Sequence, residues 1–344
     1  MVSVAAEAEA LSRVASSPPK IESSKLCGHK RPVLCLALSS TKGQLLSGSE
    51  DGTIRVWDLR TQRCDKAIVW NQGEVTSVAF HPTKTNVIFA SAGNAIASFD
   101  LSVPGVILRK PIAANKAATK DEINAILLDP RGYSLVTADD AGELRVFNAS
   151  TLKVVEDKHR KMVLGTHENI VSCLSLQPGA NQEFKFASGA LDATVKIWSA
   201  RKRKRLQRLQ IQAAAAEEDG AGTSGAQMLN PPLVHSLTYS RDGGRLACGC
   251  GDGGIVIYNG HTHGYKSRIF GGHTAAVAQV VYTDAGQLIS GGNDRQVCVW
   301  SDDGQVILRF LHAEPINFFS ACNSALYVAG CGNDIIVYQG ACLS

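Results

Sequence analysis

Leu45 to Arg60 reads L-L-S-G-S-E-D-G-T-I-R-V-W-D-L-R, and this stretch decides the fold. Two apolar runs, Leu45–Leu46 and Ile54–Val56–Trp57, flank the turn Ser49-Glu50-Asp51-Gly52. Apolar alternation on both sides of an Asp-Gly turn predicts an antiparallel hairpin. The pattern recurs. Phe184 to Arg201 reads F-K-F-A-S-G-A-L-D-A-T-V-K-I-W-S-A-R, and Leu288 to Ser301 reads L-I-S-G-G-N-D-R-Q-V-C-V-W-S. Upstream of the three copies stand Gly28-His29, Thr166-His167 and Gly272-His273. Ser47, Ser188 and Ser290 each precede a Trp (Trp57, Trp198, Trp300) by ten residues, and Asp51, Asp192 and Asp294 precede it by six. Weaker copies end at Phe99, Phe147, Tyr258 and Tyr338. The seven aromatics recur about every 47 residues, near the length of one four-stranded repeat unit.

A Gly-His pair, a strand hairpin and a terminal Trp-Asp, in this order, resemble the WD-repeat family. The resemblance implies an all-β, seven-bladed β-propeller around a central channel. The last repeat supplies three strands, at Ile316–Ser320, Leu326–Ala329 and Ile335–Tyr338, and little chain follows. Its fourth strand is expected from Ile21–Cys27, so that the N-terminal strand completes the last blade and covers a bare edge. The propeller is expected over 21–340, after a flexible N-terminal tail at 1–20.

The intervening segments fall into place around this frame. Blade one spans Pro32 to Trp70. Blade two has strands at Val75–Phe80, Val87–Ser91 and Ala95–Phe99. Its Gly93-Asn94 turn is read as two residues shorter than that of blade one, without the Asp, and blade seven as repeating this at Gly332-Asn333. Val103–Lys120 is a long connection. Blade three has strands at Ile123–Leu128, Ser134–Thr137 and Leu144–Phe147. Leu206–Ile211 is the outer strand of blade four, and 212–228, rich in Ala, Gly and acids, has the composition of a flexible insert. Blade five resumes at Leu233–Tyr239 and blade six at Ala276–Tyr282.

Bulk composition narrows the function classes. Hydrophobic residues make up 44%, enough for a large core, and the net charge of +4 is too mild to argue for nucleic acid. No apolar run approaches the ~18 residues of a membrane span. The ten cysteines show no dense small-domain pattern. Cys35, Cys173, Cys248, Cys250 and Cys298 fall in strand positions as small buried hydrophobes, and the expected compartment is reducing: cytoplasm, nucleus or both.

Three recurring Ser, His and Asp sets invite a catalytic-triad reading. The resemblance implies instead a structural hydrogen-bond chain in each blade: His29, Ser47, Asp51 and Trp57; His167, Ser188, Asp192 and Trp198; His273, Ser290, Asp294 and Trp300. Three copies around a ring fit structure better than catalysis, so no catalytic residue is assigned. Blades lacking the full set are expected to rely on apolar packing. His261-Thr262-His263 lacks a nearby third ligand, and Cys248-Gly249-Cys250 is strand alternation, so no metal is assigned. No phosphate-cradling loop occurs, and no cofactor is implied.

Two features point outward. Arg201, Lys202, Arg203, Lys204 and Arg205 form a dense basic run, a candidate nuclear localisation signal; it lacks the interleaved aromatics that stack bases. Leu45 to Arg60 resembles the sixteen-residue box of propellers that dock on the damaged-DNA-binding protein, the adaptor of cullin-four ubiquitin ligases. The match covers two aliphatics, two small residues, Asp51, two spaced aliphatics, Trp57, Asp58 and Arg60. It implies that Asp58 and Arg60 dock the adaptor. Arg201 is a second candidate, since Phe186 to Arg201 matches less well, with Ala187 and Ser199 at family positions.

Further segments, G-H-K-R-P-V-L-C-L at Gly28–Leu36, D-E-I-N at Asp121–Asn124, A-D-D-A-G at Ala138–Gly142, Q-M-L-N-P-P-L-V-H-S at Gln227–Ser236 and G-G-N-D at Gly291–Asp294, are similar to one branch of the family over roughly Leu26–Ser301. That resemblance implies a non-enzymatic scaffold that binds proteins as a substrate receptor of this ligase, monomeric within a complex. A general scaffold, or a reader of peptide or histone tails, is the alternative.

Overall fold

The computed structural model describes residues 21–39, 42–156, 162–179, 183–211, 231–322 and 325–340. The expected tail at 1–20 and insert at 212–228 lie outside the described residues. Among the described residues all regular structure is β, in seven sheets around one axis. Blade 1 holds β2 (Val33–Ser39), β3 (Gln44–Ser49), β4 (Thr53–Asp58) and β5 (Arg63–Val69). Blade 2 holds β6 (Val75–Phe80), β7 (Val87–Ala92), β8 (Ala95–Asp100) and β10 (Ala113–Asn115), with β9 (Ile107–Leu108) intervening in sequence. Blade 3 comprises β11 (Ile123–Leu128), β12 (Ser134–Asp139), β13 (Glu143–Asn148) and β14 (Val163–Thr166). Blade 4 comprises β15 (Val171–Leu176), β16 (Lys185–Ala190), β17 (Thr194–Ser199) and β18 (Lys204–Gln210). Blade 5 is built from β19 (Val234–Tyr239), β20 (Arg245–Cys250), β21 (Ile255–Asn259) and β22 (Tyr265–Ile269). Blade 6 is built from β23 (Val277–Tyr282), β24 (Leu288–Gly292), β25 (Gln296–Trp300) and β26 (Val306–Leu311). In blade 7, β27 (Ile316–Cys322), β28 (Ala325–Gly330) and β29 (Ile335–Gln339) are joined by β1 (Glu22–Leu26).

That last pairing is the expected closure. β1 runs antiparallel to β29 from Glu22 opposite Gln339 to Leu26 opposite Ile335. Leu26, 2% exposed, packs with Tyr327, Ala329, Ile335 and Val337 of blade 7 and with Val33 and Leu45 of blade 1. One strand therefore seals the ring and gives β29 its partner.

Blades stack face to face, so the second strand of each is covered on both sides. Its sequence is continuous apolar and small rather than alternating. A shared register explains the recurring Ser-Gly. At Gly48 an added Cβ would lie 2.5 Å from Val75 Cγ1 of the next blade and 2.6 Å from Cys35 Sγ. At Gly189 it would lie 2.5 Å from Val234 Cγ1. Close approach of the next blade requires the absent side chain. The aromatics share a register too: Trp57, Phe99, Phe147, Trp198, Tyr258, Trp300 and Tyr338 each pair with an aliphatic or Phe on the second strand of their blade.

Several expectations are corrected. Val103–Lys120 is more than a connection: it supplies β9, which adds in parallel to the edge of β5 and makes blade 1 five-stranded, and then β10. Ala-Ala-Asn carries little strand propensity, so pairing with β8 sets its conformation. The blade 2 turn is shortened by one residue, not two, since Ala90 and Phe99 are nine apart against ten for Ser47 and Trp57. Blade 7 is not shortened, since Val328 and Tyr338 are ten apart. The outer strand of blade 4 starts at Lys204, before Leu206. Cys35, Cys248, Cys250 and Cys298 are buried, whereas Cys173 is half-buried on the channel wall.

The channel is a cavity of about 460 Å³ bounded by the innermost strands of all seven blades. Polar side chains on its wall reach the neighbouring blade rather than the lumen. Asn124 Nδ2 donates to the carbonyl of Val171 at 3.2 Å, Ser172 Oγ to that of Val234 at 2.6 Å, and Asn317 Nδ2 to that of Val33 at 3.4 Å. Thr76 Oγ1 donates likewise to the carbonyl of Ile123.

Candidate protein-docking face

Antiparallel strands place the first-to-second turn of each blade, and the third-to-fourth turn wherever those strands are joined directly, on one face of the disc. The second-to-third turns and the links between blades lie on the other. Arg60 and Arg201 both follow a third strand, so they share the first face, on blades 1 and 4. The geometry of each turn follows from its sequence. Asp58 Oδ1 accepts the backbone N–H of Thr61 at 2.6 Å, an Asx-type cap. Gln62 then takes φ 55°, and β5 starts at Arg63 opposite Asp58. Hydrogen bonds from the Thr61 N–H and hydroxyl hold the Asp58 carboxyl below its usual range. Asp58 is thus a positioning group whose surface carboxylate caps the turn backbone. Arg60 is exposed: its backbone N–H and its charge both favour the ionised Asp58 carboxyl, while its guanidinium makes no side-chain hydrogen bond or salt bridge among the described residues.

Blade 4 solves the same turn differently. Ser199 Oγ accepts the N–H of Lys202 at 3.1 Å and donates to Glu183 Oε1 at 2.8 Å, while Lys202 Nζ lies 3.4 Å from that carboxylate. Arg203 takes φ 48°. Arg201 is exposed beside a groove of about 430 Å³ lined also by Tyr133, Val155 and Phe184. The basic run divides: Arg201, Lys202 and Arg203 make the turn, whereas Lys204 and Arg205 begin β18 opposite Ser199 and Trp198.

The three four-residue sets sit toward the opposite face. In blade 1, Trp57 Nε1–H donates to Ser47 Oγ at 2.8 Å, the Ser hydroxyl lies 2.7 Å from His29 Nε2, and His29 Nδ1 lies 3.1 Å from Asp51 Oδ2. In blade 4 the corresponding distances, through Ser188, His167 and Asp192, are 2.8, 2.7 and 3.0 Å. In blade 6, through Ser290, His273 and Asp294, they are 2.7, 2.7 and 3.1 Å. Ser47, Ser188 and Ser290 are fully buried, out of reach of any substrate carbonyl. Burial pushes Asp51 up, but hydrogen bonds from His29, Thr53 and the Lys30 N–H outweigh it and hold the carboxyl well below its usual range. Burial pushes His167 down to about 4 against the opposing pull of Asp192, so its ring is neutral at pH 7.

A further member of each set, and a second in blades 1 and 4, escape a search for side-chain motifs. The backbone N–H after each His, at Lys30, Glu168 and Thr274, donates to the same carboxylate at 2.9, 3.0 and 2.9 Å. Thr53 and Thr194 hydroxyls donate to Asp51 and Asp192 at 2.6 Å. A Thr two residues after the Asp is the available signal. Where the set is incomplete, the Ser position holds Ala90, Thr137, Cys248 or Val328. Blade 3 is the anomaly. Thr137 Oγ1 and Asp139 Oδ2 are both buried without a partner, and burial raises the Asp139 carboxyl to about 6.

His263 Nε2 lies 3.2 Å from the Tyr239 hydroxyl, and no group of three metal-capable side chains occurs among the described residues.

A family model described as WD domain, G-beta repeat matches residues 21–58, 158–199, 229–259 and 264–301. Three of these segments take in the outer strand of one blade and end in the next, the same offset by which β1 completes blade 7. A WD repeat-containing protein 53 homolog of Dictyostelium discoideum is 30% identical over 90% of this chain and 92% of its own length. The periodic tryptophan protein 2 homolog of the same organism is 24% identical over 82% of the chain, and human striatin-4 is 30% identical over 53%. The chain matches only 30% and 23% of those two longer proteins. With seven blades, the shared registers and a relative aligned along nearly its whole length, the chain belongs to the WD-repeat family of β-propellers.

Proposed function

We propose that this WD-repeat protein-interaction scaffold is a substrate receptor that docks on the adaptor of a cullin-four ubiquitin ligase. The observation that carries the reading is Arg60: its guanidinium is exposed with no side-chain hydrogen bond or salt bridge among the described residues, and its turn is fixed by the Asp58 cap at the end of a stretch that fits the docking box throughout. A guanidinium on a rigid turn meets a partner carboxylate in bidentate geometry with little entropy to lose. Arg201 adds a second cation on the same face, leaving the other face and channel mouth for the substrate.

The test is co-purification with the adaptor from cell extract, comparing the native chain with Arg60→Ala, Arg201→Ala and the double variant, each with a thermal melt. Recovery with the native chain and loss with a folded Arg60→Ala chain is the expected result. No adaptor with the native chain sinks the reading. Exposure of Arg201, Lys202, Lys204 and Arg205 supports the localisation role of the basic run. Replacing 201–205 with Ala in a fluorescent fusion then shifts the protein out of the nucleus.

A reader of basic peptide tails is the second reading. It is favoured by the acidic group of Glu74, Glu122 and Asp140 on the face opposite Arg60, where partial desolvation and the neighbouring charges raise the Glu122 carboxyl. Glu122→Gln weakens capture of a Lys/Arg-rich peptide under that reading and leaves adaptor recovery unchanged.

A further inference from the structure

Blade 1 carries a feature that the repeat does not require. The chain leaves β8, runs back to the rim of blade 1 as β9, and returns to blade 2 as β10. The excursion is tied down: Lys66 Nζ donates to the carbonyls of Val103 at 2.7 Å and Gly105 at 2.8 Å, and Ala67 N–H donates to that of Val106 at 2.8 Å. Between the excursion and the rim of blade 1 lies a groove of about 310 Å³. Val69, Trp70 and Pro111 form its apolar part, and Arg109 and Lys116 stand over it. Trp70, 5% exposed, is held edge-on against Phe99 with ring centroids 5.8 Å apart.

The groove is chemically one-sided. No carboxylate lines it. Residues 103–120 contain Arg109, Lys110, Lys116 and Lys120 and no acid. Arg109 and Lys116 are exposed and have neither hydrogen bond nor ion pair among the described residues. Beside these cations the excursion leaves Val103, Val106, Ile107 and Ile112 between 47% and 64% exposed. Four solvated aliphatics on one short segment are an exposed apolar patch, and β9 is the outermost strand of its sheet, with an edge left for pairing.

We propose that this groove docks an extended acidic peptide segment of a partner protein, with aliphatic side chains between its carboxylates. The carboxylates meet Arg109 and Lys116, the aliphatics cover Val106 and Ile107, and the peptide backbone lies along the edge of β9, the strand-addition mode of recognition. A small inorganic anion satisfies the cations but leaves the aliphatics in water. A nucleic acid brings phosphates without aliphatics. The acidic-aliphatic segment is the occupant that complements both halves. The site is on the rim, apart from the face that carries Arg60, so it stands or falls independently of adaptor docking.

The experiment is fluorescence anisotropy of the full-length chain with a labelled ten-residue probe of alternating Glu and Leu capped by Gly at each end. The same peptide with Gln for Glu is the neutral control. Binding of the acidic probe is expected, with affinity about tenfold lower for Arg109→Glu and again for Lys116→Glu, and unchanged for Arg60→Glu. Trp70 emission shifts with binding, and Trp70→Phe abolishes that shift. Melts establish that each variant is folded. Three results overturn the proposal: no binding up to ~1 mM probe, equal binding of acidic and neutral probes, or full affinity in the folded Arg109→Glu/Lys116→Glu chain.

Discussion

Replacing Ser188 with Ala removes one oxygen and tests what the four-residue sets contribute. The hydroxyl bridges two buried nitrogens, Trp198 Nε1 at 2.8 Å and His167 Nε2 at 2.7 Å. With the oxygen gone, both are left in a site without solvent, since Ser188 is 0% exposed. Each orphaned polar group costs about 1–3 kcal/mol, so Ser188→Ala should destabilise by about 2–6 kcal/mol. Blade 2 offers the contrast: Ala90 and Phe99 occupy these positions, and nothing is left unpaired. Removing the indole donor as well therefore moves blade 4 toward a composition the fold already tolerates. In the cycle of Ser188→Ala, Trp198→Phe and the double variant, the double should cost at least ~1 kcal/mol less than the two singles added. Urea titration followed by far-ultraviolet circular dichroism reads all four chains. A Ser188→Ala loss below ~0.5 kcal/mol, or singles that add within that margin, would refute the bridging account.

Acid should weaken the ring before the carboxylates titrate. The folded His167 value of about 4 lies below that of the free side chain, so the unfolded chain binds the extra proton first. Stability from this group is full above pH ~6.5, falls as pH drops toward ~4, and amounts to about 3 kcal/mol over that window. Melting temperatures from pH 7.5 to 4.5 check it, and a flat profile contradicts it. Asp139 works in the opposite direction. Its raised value of about 6 means that the ionised carboxyl is disfavoured in the fold, so Asp139→Asn should raise the melting temperature at pH 8, by about 1–2 kcal/mol equivalent, and much less at pH 5. Asn retains an oxygen for the Glu143 N–H that Asp139 accepts at 2.8 Å. Leu26→Ala should cost about 2–4 kcal/mol and speed exchange of the β29 amides, because it loosens the strand that closes the ring. Unchanged exchange at β29 would count against closure by β1.

The hairpin pattern, the seven aromatics and the spacing of the Ser, Asp and Trp positions were legible in the linear chain because each spans a single turn. Local patterns of that kind record their own geometry. A missing fourth strand in the last repeat was enough to anticipate β1. The candidate docking residues were legible as a motif, but Asp58 and Arg60 have different tasks, one capping the turn and one reaching outward. That division emerges only once the turn has a shape.

Other features depended on neighbours distant in sequence. Asn124, Ser172 and Asn317 look like ordinary strand residues until ring closure sets the next blade's carbonyls beside them. The partnerless Oδ2 of Asp139 follows from which side chains blade 3 lacks. The Val103–Lys120 excursion carries Pro, Gly and Ala and reads as a loop. Its two short strands exist because β5 and β8 present open edges to it. The sequence by itself determined the repeating unit, its number and its closure, because hairpins are encoded within about fifteen residues. The tertiary structure alone decided the channel wall, the buried carboxyl and the cationic groove, because each is made by groups brought together only when seven blades share one axis.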